Sequence, residues 1–73
     1  MKKYAIITYH TLDDYSEQIF DTYEEAEATA DKEWQSMSES DKALIEFYDI
    51  MHGEYSPEEG FCLPFADSLK SYK

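Results

Sequence analysis

The stretch Tyr4 to His10 (YAIITYH) alternates between two sets, Ala5, Ile7 and Tyr9 on one side and Tyr4, Ile6 and Thr8 on the other. A period of two in β-branched and aromatic residues marks a strand, because successive side chains of an extended chain point to opposite faces. Thr11 to Asp14 (TLDD) carries turn chemistry in its paired aspartates, and Tyr15 to Phe20 (YSEQIF) resumes a shorter, more polar strand. Together they predict a β-hairpin. At Thr22 the period changes. Thr22 followed three residues later by Glu25 is a capping box, and Tyr23, Ala26, Ala30, Trp34 and Met37 then recur at steps of three and four. This spacing predicts a helix from Tyr23 to about Met37, laid on the sheet through a narrow apolar stripe with Trp34 as its heaviest anchor. Replacing Trp34 by Ala is expected to cost about 3–5 kcal/mol, enough to unfold so small a domain.

Ser38, with Asp41 three residues on, can cap a second helix. The residues after it fit two periods. Leu44, Phe47, Tyr48 and Met51 would lie on one helical face, whereas Ile45 to Met51 (IEFYDIM) has the β-branched and aromatic content of a strand. A lone hairpin offers a helix too little platform, so a short helix to about Leu44 followed by a third strand is the preferred assignment. His52 to Gly60 reads as a turn-rich loop, Phe61, Leu63 and Phe65 around Pro64 as an extended segment tucked onto the core, and Ala66 to Lys73 as one helical turn or a frayed end. The expected fold is α+β: a three-stranded antiparallel sheet, hairpin plus third strand, packed against one main amphipathic helix with a short second helix. The runner-up is a hairpin with two longer helices.

Length and charge then narrow the class. Seventy-three residues make one core and one domain, residues 1–73. Six basic residues, all lysine, stand against 17 Asp and Glu, for a net charge of −11. Nucleic-acid binders gain affinity by neutralising phosphates with Lys and Arg, so direct DNA or RNA binding is not expected, nor is docking on an anionic membrane. Cys62 is the only cysteine, which leaves no intramolecular disulfide and points to the cytoplasm. The start MKKYAIITYH has an apolar run of only Ala5 to Ile7, and reads as neither a signal peptide nor a membrane span.

The stretch FDTYEEAEATADKEW, followed by a Ser-rich cap and Asp41-Lys42, resembles a scattered group of short acidic proteins of bacterial phages and mobile elements. The resemblance covers Phe20 to about Met51. It implies a hairpin, helix and strand order and a mobile-element context, and it carries no catalytic residues over.

The candidates for chemistry are few. His10, His52 and Cys62 could ligate a metal, but none sits at a C-x₂₋₄-C or H-x₃₋₅-H spacing, and they read as structural residues. Cys62 with His10 or His52 as base is the one nucleophile pairing that sequence distance leaves open, as a third and least favoured reading that no motif supports, and two glycines leave no phosphate-cradling loop or nucleophile elbow. No enzyme activity, metal or cofactor is expected. What stands out is the arrangement of acids. Glu24, Glu27 and Asp31 follow one another at steps of three and four along one flank of the main helix, with no lysine of that helix facing them. Such a row can meet the Lys and Arg of a basic protein groove, with Tyr15, Tyr48 and Tyr55 offering flat contact surface. The expected function is that of a non-enzymatic acidic binding protein, in one form a nucleic-acid mimic that blocks a basic nucleic-acid-binding or defence protein. The alternative is an adaptor that dimerises or docks a partner through an exposed strand edge or its aromatic tail.

Overall fold

The computed structural model describes residues 1–11 and 14–73. Leu12 and Asp13 of the expected hairpin turn lie outside the described residues. The chain runs through β1 (Lys2–His10), β2 (Tyr15–Phe20), α1 (Tyr23–Ser36), α2 (Glu39–Leu44), β3 (Ile45–Ser56), β4 (Gly60–Phe61), a 3₁₀ turn (Leu63–Phe65) and β5 (Asp67–Ser71). β1 pairs antiparallel with β2 on one side and with β3 on the other. The far edge of β3 carries β5 along its middle and β4 at its end. The fold is α+β and antiparallel, as the periodicity predicts, with the change of element at Leu44/Ile45 where it was expected.

Among the described residues the sheet has five strands rather than three. Two expectations behind the smaller count are corrected. The chain from His52 onward is not loop: β3 continues through Gly53 to Ser56 and turns back sharply. The turn uses Gly60 at φ +80°, a left-handed conformation that favours glycine, while Ser56 Oγ accepts from the Glu59 N–H at 3.0 Å. The tail is not a helical turn: Asp67–Ser71 pairs with Asp49–His52 and covers an edge that β3 would otherwise leave open.

β1 is central, so both of its faces are buried, Ala5, Ile6, Ile7 and Thr8 in succession. On one face Ile6, Ile50, Tyr48 and Ile45 pack against Ala26 and Ala30 of α1. The two alanines let the helix approach closely, and Tyr23, Trp34 and Met37 close the margins half-buried. Thr22 caps α1 by accepting from the Glu25 N–H at 3.2 Å, and Ser38 caps α2 through the Asp41 N–H at 3.1 Å. Trp34 therefore seals an edge rather than filling the centre: it lies 5.2 Å from Tyr48 and 6.0 Å from Tyr72 between ring centroids, with the Lys42 ammonium 5.0 Å over its face.

The second face has its own, smaller core of Ala5, Ile7 and Phe61, bordered by Ile19, Met51, Tyr55, Leu63 and Ala66. Here the roof is the returning chain from Gly60 to Ala66. Glu17 on β2 pins it by accepting from the Phe61 N–H at 3.2 Å. Phe61 and Leu63 tuck in as expected, but Phe65 does not: it is 84% exposed.

Candidate partner-binding groove

Strand register builds this site. Across the sheet, Tyr9 faces Tyr15 and Phe47, Ile7 faces Glu17 and Asp49, and Ala5 faces Ile19 and Met51. These three rows share the face opposite α1, because each lies two residues from the next along its strand. The returning chain roofs the Ala5 row and stops short of the Tyr9 row. What is left is an apolar groove of ≈ 340 Å³ lined by Ile7, Tyr9, Tyr15, Phe47, Asp49, Met51 and Leu63. Phe47 is 58% exposed and Tyr15 44% exposed. Tyr9 and Phe47 meet edge to face, with ring centroids 6.2 Å apart.

Two carboxylates flank Ile7 on this face, and their partners differ. Glu17 is fully committed: one oxygen holds the Phe61 N–H and the other accepts from the Tyr15 hydroxyl at 2.8 Å. Burial, then the bond to Glu17, pushes the Tyr15 phenol up to about 12, so it stays a neutral donor at ordinary pH. Asp49 is only half committed. Its Oδ2 accepts from Ser68 Oγ at 3.1 Å on β5, while its Oδ1 is buried with no hydrogen-bond partner among the described residues.

The acidic row of α1 has a different setting. Glu24 is exposed at the start of the helix, but Glu27 and Asp31 are engaged by the tail: the Lys70 ammonium lies 3.2 Å from each. The Tyr23 hydroxyl donates to Glu27 at 2.9 Å, and the Tyr72 hydroxyl donates to Asp31. The flank expected to lack compensation is thus clamped by β5, because the cation comes from 39 residues away rather than from the helix itself. Hydrogen bonds from Tyr72 and then Lys70 hold the Asp31 carboxyl below its usual value, and those to Glu27 and Asp31 raise Lys70.

The tyrosines also separate. Tyr15 lies at the mouth of the groove, Tyr55 is half-buried against the second core, and Tyr48 is 1% exposed. Tyr48 offers no contact surface: it faces α1 and donates to Glu33 Oε1 at 2.9 Å. The groove brings together Tyr9, Phe47, Asp49, Met51 and Leu63, which sequence reading did not single out as a site. Their signal was present in IEFYDIM. Once that segment is a strand, Phe47, Asp49 and Met51 share one face, and an acid stands in the middle of an apolar row.

His52 stacks on Tyr4 at 4.4 Å between ring centroids, and His10 and Cys62 are half-buried. Among the described residues no group of three or more His, Cys, Asp or Glu is placed to hold a metal ion, and no helix is long and apolar enough to cross a membrane. No protein-family model matches the chain, and neither a curated protein nor a solved structure does.

Proposed function

We propose that the protein is a non-enzymatic binding protein that docks a basic protein partner through the groove of Tyr15, Tyr9 and Phe47. The observation that carries this reading is an aromatic row, with Phe47 and Tyr15 exposed at its ends, on a sheet face that the described residues roof elsewhere, in a chain with a net charge of −11. Exposed aromatics around a concave apolar centre supply most of the affinity at protein interfaces, and the surrounding charge steers a cationic partner in. Among the expectations drawn from sequence, this favours docking through apolar contact, with electrostatics as its guide.

The test is capture from nuclease-treated lysate on immobilised protein, comparing the native chain with Phe47→Ser and Glu24→Lys. The proposal expects a basic partner that Phe47→Ser loses and Glu24→Lys keeps, and that persists in part at about 0.5 M salt, where the Debye length falls to a few ångströms. Loss through Glu24→Lys alone, with full release at moderate salt, would replace it by the nucleic-acid mimic. That second reading draws on the net charge and on Glu24, the one member of the helix row with no partner among the described residues.

A further inference from the structure

We propose that the groove selects one long cationic side chain of its partner, a lysine or arginine, and that Asp49 is the residue that determines this preference. The inference rests on the docking reading above and adds to it the chemistry of the occupant. Of the two carboxylates on this face, Glu17 has both oxygens occupied, by the Tyr15 hydroxyl and the Phe61 N–H. Asp49 has one oxygen on Ser68 and one, Oδ1, buried and without a donor among the described residues. A carboxylate oxygen buried and left unpaired is costly, and a charged donor brought by a ligand recovers that cost. No lysine among the described residues supplies it: Oδ1 has no hydrogen-bond partner there, and the ion pairs of Lys3 and Lys70 go to Asp21, Glu27 and Asp31.

The walls fit the rest of such a side chain. A Lys or Arg stem is a run of methylenes that lies along apolar surface, and its head is attracted to aromatic faces such as those of Tyr9 and Phe47. The ≈ 340 Å³ volume is at the bottom of the range of about 300–1,000 Å³ typical of small-molecule sites, a size suited to a single side chain. Asp49 and Met51 both line the groove, and because Oδ1 is buried the proposal requires the lining to shift on binding; Met51, unbranched and in the next row of the same strand, is the side chain that this proposal has turn aside to admit the head group. The net charge of −11 opposes an anionic occupant and a second copy of this chain alike.

The probes are butylguanidinium and its neutral counterpart butylurea, titrated at about 0.15 M salt, near a Debye length of about 8 Å, into isotopically labelled protein and followed by NMR. Butylguanidinium should shift the Tyr9 and Phe47 amides and the Met51 methyl saturably, and bind about tenfold or more tighter than butylurea, as a charge-assisted bond exceeds a neutral one. Asp49→Asn, nearly isosteric, should equalise the two probes. Equal affinity of both probes for the native chain, a comparison independent of any variant, would overturn the role of Asp49 while leaving the groove a docking site. If neither probe moved the groove resonances, the docking reading would fall with it.

Discussion

Gly53 shows how one side chain, or its absence, decides the shape of the face that carries the groove. A Cβ placed there would meet Ala66 Cβ at 2.9 Å and Ala66 Cα at 3.1 Å, so β3 and the returning chain touch only because position 53 is bare. Gly53→Ala is expected to lower stability by about 2 kcal/mol, as overpacking against backbone does, and to loosen the roof over Ala5 and Ile7 before the helix face. Denaturant midpoints, with amide exchange of Phe61 and Cys62, check both parts. Tyr48 illustrates the opposite case, a polar atom carried into the core with its partner. Its hydroxyl and the Gln18 amide both donate to Glu33 Oε1 at 2.9 Å. Burial, then the bond to Glu33, pushes its pKa upward. Tyr48→Phe should cost about 1–1.5 kcal/mol, seen as a lower urea midpoint at unchanged m-value; an unchanged midpoint would mean that the bond contributes nothing net.

Among the elements, β5 is the one whose formation depends most on tertiary partners. Asp67–Ser71 has little intrinsic strand preference, and it pairs because β3 offers an open edge and because Lys70 and Tyr72 reach across to α1. The clamp makes stability depend on pH in a defined direction. Asp31 titrates below its usual value in the folded chain, so its contribution is present above the unfolded value of 3.8 and is lost as pH falls through the lower folded one. The native chain should therefore lose stability on acidification below about pH 4 more steeply than Asp31→Asn, and thermal melts from pH 7 to pH 2 would show the two curves converging. Parallel curves would mean that the clamp does not form.

The same dependence on distant partners explains what could be read from the chain alone. α1 with its Thr22 cap, the β1 alternation, and the passage from α2 to β3 at Leu44/Ile45 are written in local periodicity and capping chemistry, and they stand where the pattern puts them. β4 and β5 are not, because each is a strand only by virtue of the β3 edge it covers. For the same reason Lys70 could not be foreseen beside Glu27 and Asp31, and a helix flank that looks uncompensated in sequence is half neutralised in space. The groove falls between these cases. Phe47 and Asp49 share a face in any strand reading of IEFYDIM, but the arrival of Tyr9, Tyr15 and Leu63 beside them needs the register and the roof.

For the whole molecule, the two faces of one sheet have different tasks. The helix side holds the larger core and the polar clamp. The other side is closed in part by the chain from Gly60 to Ala66, and beside it lies the groove lined by Tyr9, Tyr15 and Phe47. The net charge sets the approach of partners, whereas the groove sets what is held once they arrive. The most direct test of this division is photo-crosslinking in the native host, with a benzophenone-bearing phenylalanine analogue placed singly at Phe47, Tyr15 or Glu24. The account predicts one common adduct from positions 47 and 15 and none from position 24. Adducts from position 24 alone would contradict it, and would move the binding surface from the sheet to the start of the helix.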